Sequence, residues 1–293
     1  MVYVLYNSTA GAHYAPEVIR EKLTEFFSGE PITVTDTLTI EDKVEYVSRL
    51  SSDDSLVLVG GDGTLNRFVN AVDTDGIPFS VYCYAGGTGN DFINDVVGKE
   101  HDEPILINEY IKNLPTVSVN GKSYKFINGI GYGIDGWCCE EGDRYREKKH
   151  KAPNYTAIAI KGLLYKFKPV KARVTVDGVA LESEYVWMAP TMNGRYFGGG
   201  MMITPSQDRL NAEHELSVVT VPCKHRLKLL SVFPKIFKGN HVKHTEIFKL
   251  RCGHEISVEF DRPVALQIDG ETVLGVTEYS AKSYSEKKEK VTV

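Results

Sequence analysis

The sequence predicts an α/β domain with a parallel sheet, followed by a β-rich second domain. Up to residue 115, strand-like and helix-like segments alternate, which is typical of parallel strands joined by right-handed helical crossovers. From residue 116 onward the pattern changes to strand pairs, with Asn120-Gly121 and Asp177-Gly178 as hairpin turns. Because 293 residues, 42% of them hydrophobic, can bury a sizeable core, we expect two domains, 1–115 and 116–293.

The individual elements follow from hydrophobic periodicity and flanking residues. Pro16 suits the first turn of a helix, and Thr39 with Asp42 three residues later predicts a capped helix start. In the second domain, helical stretches over about 136–165 and 224–238 interrupt the strand pairs. The elements predicted before residue 116 are strand 2–6, helix 16–28, strand 31–35, helix 40–50, strand 55–59, helix 64–72, strand 78–84 and a short helix after Thr88.

A glycine turn after the third strand predicts a phosphate site. Residues 56–59 form an apolar, β-branched strand, and the turn that follows holds one carboxylate, Asp62. The surrounding Gly60, Gly61 and Gly63 let backbone N–H groups approach phosphoryl oxygens, and the next helix adds unpaired amides and a positive dipole end. Because a carboxylate repels phosphate unless a cation lies between them, Asp62 indicates Mg²⁺-nucleotide chemistry. By itself, the turn also fits a strand-to-helix connection without a ligand.

Two further loops have a similar composition. Residues 86–92 repeat the glycines, a hydroxyl and an acid, Asp91, after strand 78–84. The N-terminal strand 2–6 ends in residues 7–11, which are small and polar. In open α/β sheets, ligands bind at the carboxyl ends of the strands, where all three loops would lie. Their convergence favours a shared nucleotide ligand over a packing coincidence.

Motifs follow one another along nearly the whole chain: Asn7 to Gly11, Gly60 to Asn66, Gly87 to Phe92, Phe126 to Asp135, Gly198 to Met201 with Pro205, and Asp269 to Glu271. In this order they resemble the motifs of the diacylglycerol kinase catalytic-domain family, which includes sphingosine kinases and soluble bacterial lipid kinases. The Gly-Gly-Asp-Gly-Thr element also occurs in NAD kinases, whereas the other motifs are similar to those of the lipid kinases. The resemblance covers nearly the whole chain.

The resemblance implies a nucleotide-binding α/β domain and a lipid-binding β-sandwich, with the active site in the cleft between them. It implies ATP and Mg²⁺ as cofactors, and transfer of the γ-phosphoryl group to a hydroxyl of diacylglycerol or a related lipid such as a sphingoid base. The expected catalytic residues are Glu271 as proton acceptor, Asp269 as a metal or orientation partner, and Asp62, which with Asp91 would organise Mg²⁺-ATP. The expected nucleotide-binding residues are Asn7, Ser8, Thr9, Gly11, Thr37, Gly60, Gly61, Asp62, Gly63, Thr64, Asn66, Gly87, Thr88, Asn90 and Asp91.

The downstream acids have a second interpretation. Asp269-Gly270 is also typical of an ordinary hairpin turn. Under the catalytic interpretation, residues two apart on an extended segment project to one face, so the carboxylates of Asp269 and Glu271 would both point into the cleft.

The chain departs from the family pattern at several places, one of which is Ala85, where the family usually has proline. Ala12-His13 follows the first glycine loop, where the family commonly has Lys or Arg. Some bacterial members also have an acidic pair for a structural metal beyond Pro205, for which Asp208 and Glu213 are the candidates here.

Charge is unevenly distributed along the chain, although the net charge is only −5. Residues 1–116 contain 7 Lys and Arg against 19 Asp and Glu, whereas residues 117–293 contain 27 against 20. Residues 144–173 hold ten Lys and Arg and one acid, Glu147, interleaved with aromatic and aliphatic residues. Such a stretch indicates either an anionic membrane surface as partner or a solvated helix face. The acidic pI of about 5.9 and the lack of a recognised motif argue against nucleic acid.

Cysteine usage and hydropathy further restrict the class of protein to which the chain could belong. Five cysteines without a Cys-x-x-Cys pair argue against a disulfide framework and against structural zinc. Apolar runs fall short of the roughly 20 residues that a transmembrane helix needs. We therefore expect a cytoplasmic protein that associates peripherally with membranes, with sheet edges that would allow a homodimer. An NAD kinase-like nucleotide kinase and a nucleotide- or lipid-binding protein without catalysis are the alternative functions.

Overall fold

The first half of the chain forms a five-stranded sheet with helices on both faces. The computed structural model describes residues 1–8, 15–86, 90–98, 101–151 and 153–285. The strand order is β2-β1-β3-β4-β5, in which the first four strands are parallel and β5 runs antiparallel to β4. This confirms the predicted α/β fold. The strands are β1 (Val2–Tyr6), β2 (Ile32–Asp36), β3 (Ser55–Gly60), β4 (Ser80–Ala85) and β5 (Ile105–Leu106).

The helices of this half differ from the prediction at their starts. The expected cap at Thr39 is wrong, because residues 37–39 form a 3₁₀ turn and the carboxylate of Asp42 accepts the N–H of Glu45 at 2.9 Å instead. The third helix begins at Asp62, two residues earlier than predicted, which places this acid in its first turn. The helices are α1 (Pro16–Phe26), α2 (Lys43–Ser48), α3 (Asp62–Ala71), α4 (Asp91–Val96) and α5 (Asn108–Ile111).

The second half is β-rich, as predicted, and is organised around one long hairpin. Its two longest strands pair along their length, and the first of them, Glu255–Ile268, changes its other neighbour midway. The predicted hairpin turns at 120–121 and 177–178 are both present, with positive φ at each residue. The strands are β6 (Thr116–Val119), β7 (Lys122–Lys125), β8 (Gly129–Tyr132), β9 (Val170–Val176), β10 (Val179–Val186), β11 (Thr191–Met192), β12 (Tyr196–Phe197), β13 (Met201–Met202), β14 (Leu216–Thr220), β15 (Lys249–Gly253), β16 (Glu255–Ile268) and β17 (Glu271–Lys282).

The helical segments of the second half pack against its strands and against one another. The single stretch predicted over 136–165 is broken, because the chain turns at His150 with positive φ and Asn154 then caps a new helix. No helix within the described ranges is both long and apolar enough to cross a bilayer. The segments are α6 (Ile134–Lys149), α7 (Tyr155–Lys161), a π-helical turn (Gly162–Lys166), α8 (Arg226–Val232) and two 3₁₀ segments (Phe233–Lys238 and Asn240–Lys243).

A glycine sets the distance between α6 and β16. A Cβ atom on Gly136 would lie 2.0 Å from the carbonyl oxygen of Ala265, which is far inside van der Waals contact. Since that oxygen belongs to the backbone of the central hairpin, the helix rather than a side chain would have to move. The close approach holds the first turn of α6 against the strand that leads to Asp269.

We expect Gly136→Ala to lower the free energy of unfolding by about 2 kcal/mol, because the cost of overpacking outweighs the better helix propensity of alanine. Urea denaturation measures the change. Gly76→Ala is the matched control, since a Cβ there meets no atom within 4 Å. Equal stability of Gly136→Ala and the wild type would contradict the prediction.

Candidate active site

Four strand ends bring the predicted nucleotide loops to one edge of the first sheet. Asn7 and Ser8 follow β1, Thr37 follows β2, and the turns after β3 and β4 lie beside them. The N–H of Ser8 also contacts the carboxylate of Asp36 at 3.5 Å. Among the expected nucleotide-binding residues, Thr9, Gly11, Gly87 and Thr88 lie outside the described residues, as do Ala12 and His13.

Close packing accounts for two of the glycines at this edge. The N–H of Gly86 donates to the carbonyl oxygen of Gly60 at 3.0 Å, so the two turns are hydrogen-bonded to each other. A Cβ on Gly60 would lie 2.2 Å from the hydroxyl oxygen of Thr64. The glycine pattern therefore has a structural reason at Gly60 and Gly86 whether or not a phosphate binds there.

The carboxylate of Asp62 joins three parts of the site. It accepts the backbone N–H groups of Asp91 and Phe92, each at 2.9 Å, and the side-chain amide of Asn128, also at 2.9 Å. Asp62 thus supplies the acceptor for the first turn of α4, whose own backbone lacks one. A carboxylate has about four lone-pair sites, so one remains for a ligand.

The carboxylate of Asp91 is buried and is held by the second half of the chain. It accepts the N–H groups of Gly199 and Gly200 at 2.8 and 2.6 Å. These glycines belong to a run, 198–200, in which every residue has positive φ, a conformation that side chains strongly disfavour. Burial and the nearby charge of Asp62 raise the pKa of Asp91 to about 7.

Asp62 and Asp91 therefore lie close enough for their charges to interact while both face one cavity. In kinase sites, Mg²⁺ is held by one or two carboxylates together with substrate phosphates. The two acids fit that donor set.

Asp269 fastens the tip of the β16–β17 hairpin to the first half. Its buried carboxylate accepts the N–H groups of Ile127, Asn128 and Gly129 at 2.7, 2.8 and 3.0 Å, and the side-chain amide of Asn66 at 2.8 Å. Burial raises the pKa of Asp269, and these four donors oppose the shift. Asn66 thus has its amide committed to Asp269, and its predicted contact with nucleotide stays a prediction.

The argument that Asp269 and Glu271 project from one extended segment is wrong. Asp269 and Gly270 both have positive φ and form the two-residue turn between the strands, so the two carboxylates diverge. The carboxylate of Glu271 is half-exposed and accepts a hydrogen bond from Arg67 at 2.7 Å. It also lies 3.5 Å from where a Cβ of Gly63 would stand. The downstream acid and the early glycine turn therefore meet. The hairpin turn, which was the second interpretation of Asp269-Gly270, is confirmed.

An ion-pair network around the buried Asp95, which the sequence analysis missed, lies beside Asp91 and contacts Asn128. Asp95 in α4 accepts hydrogen bonds from the guanidinium groups of Arg195 and Arg209, at 2.5 and 2.8 Å. Arg209 also donates to the side-chain oxygen of Asn128 at 3.1 Å. Because breaking a buried pair leaves an uncompensated charge, this network holds α4 firmly against the second half.

The loop that carries Arg209 also contains the candidate structural-metal residues. Asp208 and Glu213 are both exposed, and the Asp208 carboxylate accepts the N–H of Leu210 at 3.0 Å. Within the described ranges, no group of three or more His, Cys, Asp or Glu side chains is placed to hold a metal ion. The second metal stays a prediction.

An apolar cavity of about 210 Å³ opens beside the acids. Carboxylates at one end, from Asp62, Asp91, Asp135 and Asp269, face walls of aliphatic and aromatic side chains. The walls come from α6, α7 and the 3₁₀ segment Phe233–Lys238, together with β12 and the residues before β11. Among the wall residues are Ile134, Tyr155, Met188, Phe197, Phe233 and Phe237.

Comparison with known proteins identifies the class. Residues 1–118 match the diacylglycerol kinase catalytic domain, and residues 128–282 match the YegS C-terminal NAD kinase beta sandwich-like domain. The chain belongs to the diacylglycerol kinase catalytic-domain family through its first half and to the YegS C-terminal domain family through its second half. The Gly-Gly-Asp-Gly-Thr turn alone fits both this family and the NAD kinases, and the match to the diacylglycerol kinase catalytic domain decides between the two families.

Two individual proteins illustrate the similarity. A diacylglycerol kinase of Mycobacterium tuberculosis is 26% identical over 207 residues, which are 68% of this chain and 65% of the relative. The chain thus spans just under two thirds of that relative. A solved structure of a diacylglycerol kinase from Bacillus anthracis superposes with a TM-score of 0.61 at 16% identity, covering 97% of this chain and 94% of the other. At that identity the likeness concerns the fold.

The raised pKa of Asp91 predicts how the stability of the protein depends on pH when neither nucleotide nor magnesium is bound. Between the usual value of 3.8 and about 7, the folded protein keeps a proton that the unfolded chain releases, so this carboxyl lowers stability as pH rises. We expect Asp91→Asn to make the decline in unfolding free energy between about pH 4.5 and 7.5 less steep. Urea denaturation at several pH values measures this. Exposed Asp53→Asn is the control, and parallel pH profiles of Asp91→Asn and the wild type would contradict the assignment.

Proposed function

We propose that the protein is an ATP-dependent lipid kinase, which transfers the γ-phosphoryl group of ATP to a lipid hydroxyl. The observation that carries the proposal is the meeting of Glu271 with the Asp62 turn beside an apolar cavity. A nucleotide site at the strand ends and a lipid site in the cavity would share this junction. Family membership supports the same reaction.

The first half would bind and orient the nucleotide. The described residues that follow β1 and β3 lie at one edge of the sheet, and the N-terminus of the ten-residue helix α3 favours phosphate there. Asp62 and Asp91 would hold magnesium through the nucleotide, and the bound ion would neutralise charge on the transferring phosphoryl group. The hydrogen bonds to Asp62 fix its carboxylate before ATP arrives, so little reorganisation accompanies binding.

Glu271 would take the proton of the attacking hydroxyl. Its carboxylate lies at the junction, is accessible to solvent and is oriented by Arg67. Asp269 is buried, and its four hydrogen bonds make it the residue that fixes the hairpin tip. We assign Asp269 the orienting role.

We expect Glu271→Gln to lower kcat for lipid phosphorylation by about 10²- to 10⁴-fold, the usual contribution of a general base. Transfer of radiolabelled phosphate from ATP to lipids in mixed micelles measures this. Glu278→Gln, an exposed change farther along the same strand, is the matched control.

Undiminished transfer by Glu271→Gln would refute its role as base. ATP binding without transfer to any lipid by the wild type would favour the non-catalytic alternative. Phosphorylation of NAD but of no lipid would favour the nucleotide-kinase alternative.

We also propose that the protein docks on anionic membranes through the helices around the cavity. Two segments distant in sequence, 153–168 and 224–245, contain nine Lys and Arg and no acid. They lie side by side, since Arg226 donates to the carbonyl oxygens of Leu163 and Phe167, each at 3.0 Å. Tyr165 and Leu227 are exposed on them at 60% and 77%. Exposed apolar groups ringed by cations are typical of interfacial docking. A homodimer stays a prediction.

We expect Leu227→Glu to weaken binding to vesicles containing an anionic phospholipid by at least about tenfold, because it loses apolar burial and adds repulsion. Cosedimentation at low and high salt measures the partition coefficient. Leu181→Glu is the control, since Leu181 is also exposed, at 53%, but lies near the start of strand β10, close to the hairpin turn at 177–178. Equal losses in both variants would contradict the docking face.

A further inference from the structure

Arg67 is a cation at the junction that the proposed function uses only to orient Glu271. It lies in the second turn of α3, the helix that begins at Asp62. Side chains on a helix lean toward its N-terminus, so the guanidinium group of Arg67 is carried back toward the glycine turn. The contact agrees with this direction, because the Oε1 atom of Glu271 lies 2.7 Å from Nη2 of Arg67 and 3.5 Å from the Cβ position of Gly63.

Most of the hydrogen-bonding capacity of Arg67 is available to a ligand. A guanidinium group has five N–H donors, and among the described residues its one hydrogen-bond partner is an oxygen of Glu271. Both side chains are about half exposed, at 55% and 49%. An exposed ion pair of this kind contributes little to stability, so holding the two halves together does not account for the arginine.

The surroundings of this ion pair are otherwise acidic. Four aspartates line the neighbouring cavity, and its lining among the described residues includes no lysine or arginine. Arg195 and Arg209 are engaged by Asp95. A phosphoryl group that enters beside Glu271 would meet a carboxylate on that side, and the repulsion between the two would oppose transfer unless a cation lay between them. Arg67 is placed to supply that cation.

We propose that Arg67 is a catalytic residue, whose guanidinium group binds the transferring phosphoryl group while it keeps Glu271 in place. The inference rests on the proposed function and deepens it. In that reaction the lipid oxygen forms a bond to the γ-phosphorus, and the hydroxyl proton passes to Glu271. The bond from the γ-phosphorus to the bridging oxygen breaks, and ADP leaves with the electron pair. Charge is then spread over the equatorial phosphoryl oxygens, which the planar N–H donors of an arginine suit.

Steady-state kinetics test the contribution to transfer. We expect Arg67→Met to lower kcat for lipid phosphorylation by about 10³-fold and to leave KM for the lipid near the wild-type value, because the lost contact is strongest in the transition state. Arg67→Lys keeps the charge without the planar fork and should recover part of the loss. Arg49→Met is the matched control, since Arg49 is also an exposed arginine in an ion pair, with Glu45.

Nucleotide binding separates contact with the phosphoryl group from a structural role. The probes are ADP and the β,γ-imido analogue of ATP, each with Mg²⁺, titrated by calorimetry without lipid. Arg67→Met should bind the analogue about tenfold more weakly or worse, because a charge-assisted hydrogen bond to the third phosphate is lost. Its affinity for ADP should not change. It should also unfold near the wild-type temperature, because the ion pair is exposed.

A second variant tests the competition for Arg67. In Glu271→Gln the guanidinium group loses its charged partner, so the analogue should bind more tightly than to the wild type. Removal of a negative charge from the junction would by itself have the same sign. The gain should therefore disappear when Glu271→Gln is combined with Arg67→Met, and a gain that persists in the double variant would count against the contact.

The outcomes distinguish this proposal from the proposed function. Equal affinity of Arg67→Met and the wild type for the analogue, equal losses for both nucleotides, or an unchanged kcat would overturn the role of Arg67. If the wild type binds both nucleotides but phosphorylates no lipid, the proposed function fails, whereas a loss confined to the analogue would still support the phosphoryl contact. A wild type that binds neither nucleotide would overturn both proposals.

Discussion

The buried carboxylate of Asp269 is the contact on which the junction between the two halves depends. It accepts hydrogen bonds from three consecutive N–H groups at the start of β8 and from the side-chain amide of Asn66 in α3. The strand, the helix and the tip of the hairpin therefore share one acceptor. Hydrogen bonds to a charged acceptor are worth about 1.5–3 kcal/mol each, and an unpaired donor here would be costly. Because Glu271 lies two residues beyond this anchor, its distance from the Asp62 turn follows from the same contact.

The elements of the fold were largely predictable because their signals are local. Alternating strands and helices predicted the parallel sheet, and Asn-Gly and Asp-Gly pairs predicted hairpins that the structure contains. The break in the helix over 136–165 had a local signal too, since Pro153 and Asn154 are typical of a new helix start. The helix cap predicted at Thr39 is wrong because two neighbouring aspartates serve as caps instead: Asp36 caps the 3₁₀ turn and Asp42 caps α2.

The acidic residues of the site could be predicted from the sequence, but their hydrogen-bond partners could not. Asp62, Asp91, Asp269 and Glu271 were selected from motifs, yet the partners of Asp62 are backbone groups 29 and 30 residues away and a side chain 66 residues away. Backbone donors have no residue-type signature, so periodicity cannot reveal them. Arg209 was overlooked for a related reason: its partner Asp95 is 114 residues distant, and a lone arginine in a polar loop resembles a solvated one.

The acid network also has a consequence for sequence variation. Among the described residues, seven of the nine groups that donate to Asp62, Asp91 and Asp269 are main-chain N–H groups. Any residue except proline supplies such a donor. Substitution of one of the three aspartates would remove the acceptor of several hydrogen bonds. The residue type at donor positions such as Phe92 and Ile127 is constrained only by packing. Distant homologues can therefore preserve this junction while sharing little beyond three aspartates and a few glycines.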